Sequence, residues 1–295
     1  MSKASDGLII LDGGLSNALE DRGHDLSDAL WSARLLRDDP AEIAAVHRAY
    51  YEAGAMVATT ASYQASVVGF ERAGVGRDEA ERLIASSVRI AREVREEFPG
   101  RLVAASVGPY GAMLADGSEY RGRYGVSAEV LREFHGPRLE LLMNAGPDLL
   151  AVETIPDTQE AEVLVGLLVE LDFPAWFSYS IAGTHTRAGQ PLTEAFTIPD
   201  IGQVVAVGIN CCRPDDVQQA VETAVAVTGK PAIAYPNSGE SWDAANHRWT
   251  TTPTAPRDLA ALAADWMQAG AAYLGGCCRV GPVEIRALAD AIIRR

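Results

Sequence analysis

A chain of 295 residues that is 48% hydrophobic can bury a large core, and its length fits either two modest domains or one barrel-sized domain. The formal net charge of -15 argues against nucleic acid and anionic membrane surfaces, because both need a Lys/Arg-rich face and no basic run precedes Arg294-Arg295. Small-molecule chemistry is the remaining expectation.

The opening MSKASDGLIILDGG lacks the basic segment, apolar stretch and small-residue cleavage site of a signal peptide. No apolar run is long enough to span a bilayer. The four cysteines form two adjacent pairs, which is unlike a secreted disulfide framework. A cytoplasmic setting with reduced thiols is expected.

Short apolar runs alternate with longer amphipathic stretches. In chain order the runs predict strands from Leu8 to Leu11, Ala55 to Thr59, Leu102 to Val107, Leu149 to Glu153, Ala175 to Ser180, Val204 to Ile209, Ala232 to Tyr235 and Ala271 to Leu274. Between them, Pro40, Pro214, Pro256 and Pro282 suit first helical turns, and Asp157 with Glu160 has capping-box spacing. Eight such units predict an α/β fold, a single (β/α)8 TIM-type barrel occupying residues 1–295 as one domain.

In such barrels the chemistry sits at the C-terminal strand ends. Here those ends read Asp12-Gly13-Gly14, Thr59 through Gln64, Gly108-Pro109-Tyr110, Glu153 through Pro156, Asn210-Cys211, Asn237 within the loop after the seventh strand, and Gly275-Gly276-Cys277-Cys278.

Cys211, Cys277 and Cys278 offer three thiolates to one metal. Sulfur ligands favour zinc, and three protein ligands leave a fourth position for substrate. Adjacent cysteines in an extended strand point to opposite faces, so a shared metal requires a bend, which Gly275-Gly276 would permit. Three other readings stay open at this point: buried core cysteines, a vicinal disulfide, and a closed four-cysteine site that includes Cys212. Strand alternation sends Cys211 and Cys212 to opposite sides, and Cys211 is taken as the ligand, with Cys212 left to packing or to the following loop.

Asp12 and Glu153 end apolar runs, where a carboxylate needs a partner or a role, and both suit a substrate ammonium. Helix capping and a structural ion pair are the alternatives. Trp31, Tyr63, Tyr110, Phe177 and Tyr179 lie near strand ends, where aromatic faces can hold a cationic group or simply fill the core. The five histidines have no metal-like spacing. The polar segments from Ala112 to Val126 and from Ser238 to Trp249 are long enough to be lids, or are ordinary loops, and Glu119, Tyr120 and Asn237 are the donor-contact candidates.

Taken together, LDGG at 11–14, LWSARLL at 30–36, TTASYQAS at 59–66, SVGPYGAMLADGSEYRGRYG at 106–125, ETIP at 153–156, GINCC at 208–212, YPNSGESWD at 235–243 and GGCCRVGP at 275–282 resemble the homocysteine S-methyltransferase family, especially its S-methylmethionine-dependent members. The resemblance implies a zinc-dependent barrel that moves a methyl group from a sulfonium donor to L-homocysteine and forms methionine. It implies Cys211, Cys277 and Cys278 as zinc ligands, and places Asp12, Glu153 and the Gly13-Gly14 turn near the amino-acid end of homocysteine. The candidate substrate-binding set is Asp12, Gly13, Gly14, Trp31, Thr60, Tyr110, Glu119, Glu153, Asn210 and Asn237, in a protein expected to be monomeric. No general acid is required, because a sulfonium leaves as a neutral thioether. Alternatives are S-adenosylmethionine or betaine as donor, selenocysteine as acceptor, or a zinc-storage or redox thiol protein without turnover.

Overall fold

Strands buried on both faces need apolar side chains in both directions, and every position of Leu149–Ile155 and Ala175–Tyr179 is buried. The computed structural model describes residues 8–26, 30–243, 248–250 and 258–293. Its eight parallel strands are β1 (Ile9–Ile10), β2 (Val57–Thr59), β3 (Leu102–Val107), β4 (Leu149–Ile155), β5 (Ala175–Tyr179), β6 (Val204–Asn210), β7 (Ala232–Tyr235) and β8 (Ala271–Leu274). Each pairs with its neighbour in sequence from β2 to β8, and β8 pairs with β1. A parallel bridge from Leu11 to Val57 closes the ring. The expected (β/α)8 barrel is what the chain forms.

The alternation of side chains divides the core in two. Leu11, Val57, Ala104, Leu149, Ala151, Trp176, Ala206, Ile233 and Tyr235 fill the barrel interior. Their neighbours, among them Val103, Leu150, Val152, Phe177 and Tyr179, pack outward beneath the helices. Phe177 and Tyr179 are therefore outer-core residues, a correction to their reading as cation-facing aromatics. They share a strand face with each other, and Trp176 occupies the opposite one.

Helices Pro40–Glu52, Arg77–Arg95, Ala128–Asn144, Thr158–Leu171, Val217–Thr228 and Leu259–Ala269 cover six of the seven connections, and Pro282–Ile293 follows the last strand. Between β5 and β6 the chain instead forms a small hairpin, Ile181–Ala182 with His185–Thr186, and a four-residue helix, Leu192–Ala195. Gly183, Gly189, Pro191 and Pro199 punctuate that segment too often for a longer helix. Tyr179 fills the gap, donating its hydroxyl to Ala195 O at 2.9 Å.

Pro40 and Pro282 open helices as expected, and Pro214 opens a 3-10 turn. Pro256 lies outside the described residues. Asp157 caps Thr158–Leu171 by accepting from the Gln159 amide at 3.1 Å, but Glu160 does not complete a capping box. It faces His135 Nε2 at 2.8 Å and the Tyr124 hydroxyl at 2.9 Å instead. Among the described residues no helix is long and apolar enough to cross a membrane.

Candidate active site

Strand β4 alternates Leu149, Ala151 and Glu153 into the barrel, so the last of these places a carboxylate at the floor of the mouth. Glu153 accepts the Ser106 hydroxyl from β3 and a bond from Tyr235 on β7. Asp12, just after β1, accepts from the Thr59 amide at 2.6 Å and the Thr59 hydroxyl at 2.8 Å. Burial is the main reason that each carboxyl is pushed up to about 7. Among the described residues neither acid forms an ion pair, and the charge of Arg138 reaches Glu153 only from a distance.

Asn210, at the end of β6, is buried and serves as a strut. Its Oδ1 accepts from the Thr154 amide at 2.7 Å and from Ser178 Oγ at 2.9 Å, and its Nδ2 donates to Thr154 Oγ1 at 2.7 Å. These bonds hold Thr154 at φ 61°, a left-handed backbone that costs a β-branched residue on the order of 1–3 kcal/mol. They also explain why β4 and β6 extend past their predicted ends. Thr60 is similarly occupied, accepting from the Ser106 amide at 3.0 Å and bonding Ser62 Oγ at 2.7 Å. The Asp12 partner is its neighbour Thr59.

Cys211 follows Asn210 at φ 51°, and this left-handed step, more than strand alternation, turns its sulfur to the mouth. Cys212 then packs in the outer core. Burial raises its thiol well above the ordinary value. Cys212→Ala should leave metal binding by the other three cysteines unchanged and lower stability by about 1 kcal/mol, a cavity effect read from metal content and denaturant titration.

Cys277 and Cys278 approach Cys211 from the β8 loop, and the bend that brings both sulfurs to one side is at a different place from the one expected. Gly275 and Gly276 both have negative φ. Val280 donates to Cys277 O at 3.2 Å, closing a turn with Arg279 at φ 63°. The glycines are required for space: a Cβ on Gly275 would meet Leu11 Cβ at 2.6 Å, and one on Gly276 would meet Val280 Cγ1 at 2.1 Å. Gly13 and Gly14 fit beneath the same turn, where added Cβ atoms would lie 2.2 Å from Val280 O and 2.6 Å from Cys277 O. Asn237 Oδ1 accepts the Cys278 amide at 3.1 Å, so that side chain orients the cysteine turn.

The three sulfurs lie within 4.8 Å of one another, and Cys211 Sγ is 3.7 Å from Cys278 Sγ. Tetrahedral zinc with Zn–S bonds of about 2.3 Å places its sulfurs about 3.8 Å apart, so the set fits that ion and leaves one coordination position. Hydrogen bonds from Cys277 and Cys278 hold the Cys211 thiol well below its ordinary value. Three crowded sulfurs resist further ionisation until a cation arrives.

The segment from Ala112 to Val126 folds over this cluster. Its Ser118–Tyr120 turn brings the Tyr120 hydroxyl to 3.2 Å from Cys211 Sγ and buries Glu119. Burial pushes the Glu119 carboxyl up to about 7. The charges of Glu119 and Cys211 both act on the buried Tyr63 hydroxyl, whose ionisation burial already disfavours. Tyr110 is turned away: its ring stacks with Tyr124 and Phe134, and its amide bonds Glu160. The side chain of Trp31 lies outside the described residues, as do residues 244–247 of the segment from Ser238 to Trp249. Ser106, Tyr235 and Arg187 were missed in the sequence because an isolated Ser, Tyr or Arg carries no signal until strand register places it.

The sequence pattern of a family described as homocysteine S-methyltransferase matches residues 9–292. The chain belongs to the homocysteine S-methyltransferase family. Homocysteine S-methyltransferase 4 of Zea mays is 44% identical over 98% of this chain and 91% of its own. Selenocysteine Se-methyltransferase of Brassica oleracea var. italica is 41% identical over 99% and 91%. The metallated form of the homocysteine methyltransferase MmuM from Escherichia coli superposes with a TM-score of 0.87 at 41% identity, covering 97% of this chain and 96% of that one. The family resemblance read from the motifs is thereby borne out, and a metallated homocysteine S-methyltransferase shares the fold that carries the three-sulfur cluster.

Proposed function

We propose that the chain transfers a methyl group from S-methylmethionine to L-homocysteine, with zinc held by Cys211, Cys277 and Cys278. The observation that carries this reading is a three-sulfur cluster close to two buried carboxylates that form no ion pair among the described residues. Bound there, zinc supplies the charge that removes the thiol proton of homocysteine and keeps its sulfur a thiolate at pH 7. Asp12 and Glu153 take the ammonium of homocysteine, aligning its chain along the barrel axis with the sulfur toward the mouth.

Thiolate attack on the donor methyl forms one C–S bond as the sulfonium C–S bond breaks, its electron pair going to the departing thioether. No proton is needed by that leaving group. Tyr120, Tyr63 and Glu119 close over the reacting atoms, exclude water and favour the cationic donor before transfer. Asn210 and Asn237 act by holding β4 and the cysteine turn in place, while Gly13 and Gly14 let the β1 loop pass beneath it.

All three sulfurs and both carboxylates come from one chain, which supports a monomer, with residues 1–295 as one barrel domain. The four cysteines are free thiols, which supports a cytoplasmic setting. The Brassica relative makes selenocysteine the natural second acceptor to assay.

The test is methionine formation from L-homocysteine and S-methylmethionine, measured together with metal content. Zinc-dependent turnover at about one zinc per chain is expected. Removing the zinc should abolish turnover without unfolding, because the barrel core is independent of the cluster. Circular dichroism of the metal-free protein checks this, and a collapsed barrel would assign the zinc a structural role.

A further inference from the structure

The lid turn carries an acid, and faces a base, that the homocysteine pocket leaves unused. Glu119 is 3% exposed, and its Oε2 is buried without a hydrogen-bond partner. A carboxylate in that position is costly until a cation joins it. Glu119 precedes Tyr120 in the turn, and the Tyr120 hydroxyl is 3.2 Å from Cys211 Sγ, so the acid lies near the sulfur cluster.

Arg187 reaches the same mouth from the loop after β5. Its guanidinium lies over the Tyr120 ring, 5.7 Å from the ring centre, and Nε donates to Ser180 Oγ at 3.3 Å. Its charge also acts on Cys211. Among the described residues no acidic side chain pairs with it, although acids outnumber bases by 40 to 25 in the chain. An arginine left unpaired in so acidic a protein, fixed on an aromatic shelf at a substrate mouth, is arranged for an anion that arrives with the ligand.

We propose that Glu119 and Arg187 form a receptor for the α-amino-acid end of the methyl donor, with Glu119 taking its ammonium and Arg187 its carboxylate on either side of Tyr120. The proposal rests on the methyl-transfer reading and deepens it. The barrel would then hold two amino acids, homocysteine at the Asp12–Glu153 floor and the donor at the lid. Betaine offers a carboxylate but no N–H donor, so it would satisfy Arg187 and place methyl groups against Glu119. The pair thus selects amino-acid sulfonium donors over betaine.

The experiment compares S-methylmethionine, its α-N-acetyl derivative and its carboxyl methyl ester with the zinc-loaded wild type, Glu119→Gln and Arg187→Met. Both kcat/KM and calorimetric binding are measured. In wild type each derivative should be about 10–100-fold worse than the parent. In Glu119→Gln the N-acetyl penalty should collapse while the ester penalty persists, and Arg187→Met should do the reverse. The KM for homocysteine should stay within about twofold throughout, and Arg187→Lys should restore part of the ester penalty. A merely structural role would weaken all three donors equally, and equal losses, or a wild type indifferent to both derivatives, would overturn the proposal. Selective binding without turnover would support the receptor and overturn the methyl-transfer reading instead.

Discussion

Cys277→Ser is expected to lower methyl transfer by about a thousandfold or more, with the barrel still folded. A hydroxyl is a poor replacement for a soft thiolate, and with two sulfurs left the site loses most of its affinity for zinc. Homocysteine would then have to react from a thiol of ordinary pKa near 8.5, mostly protonated at pH 7 and without a fixed position. Folding is insulated from this change. The outer core around Leu150 and Val152 contains none of the three sulfurs, and Cys277, only partly buried, touches the interior cluster around Trp176 from its edge. Thermal unfolding should shift by a few degrees, and zinc content should fall well below one per chain. Full activity in this variant would remove the cluster from the mechanism. Loss of folding would make the metal structural.

How far the site was legible in the sequence depended on the distance over which each signal acts. The strands were readable because an apolar run bounded by Gly, Pro or Asn is local, and β3, β7 and β8 have the boundaries predicted for them. The acids at strand ends were readable because a charge closing an apolar run is anomalous wherever it pairs. What could not be read was direction. Alternation alone puts Cys277 and Cys278 on opposite faces, and the turn that reverses this depends on Arg279 at φ 63°, a residue whose type gives no hint of a left-handed backbone. The role of Asn210 was hidden for the same reason. Its partners Thr154 and Ser178 lie 56 and 32 residues away, and only barrel closure brings them together.

Glu153→Gln should make the free protein more stable at pH 8 and a far poorer user of homocysteine. Burial raises the Glu153 carboxyl from 4.5 to about 7, so the folded state binds this proton more tightly than the unfolded chain does. Its contribution to stability is therefore complete below about pH 4.5 and is lost as pH rises through about 7. At pH 8 the wild type carries a buried charge without an ion-pair partner among the described residues, and glutamine removes it while its amide still bonds the Ser106 and Tyr235 hydroxyls, either of which can turn to accept. The gain in unfolding free energy should be about 2–3 kcal/mol at pH 8 and close to zero at pH 4.5. Glu153 is a better probe than Asp12, whose replacement by asparagine could turn an amide N–H toward the Thr59 amide. The same charge that destabilises the empty barrel is what the substrate ammonium needs. In the variant kcat/KM for homocysteine should drop about 100-fold at pH 8, and in wild type it should decline as pH falls below about 7. Denaturant titrations of both proteins at the two pH values, read as a difference, isolate this group from all others. A difference that does not change with pH, or an unaltered homocysteine KM in the variant, would remove Glu153 from the ammonium pocket. The expected opposition of stability and activity at one side chain follows from building a cation site out of acids that form no ion pair among the described residues.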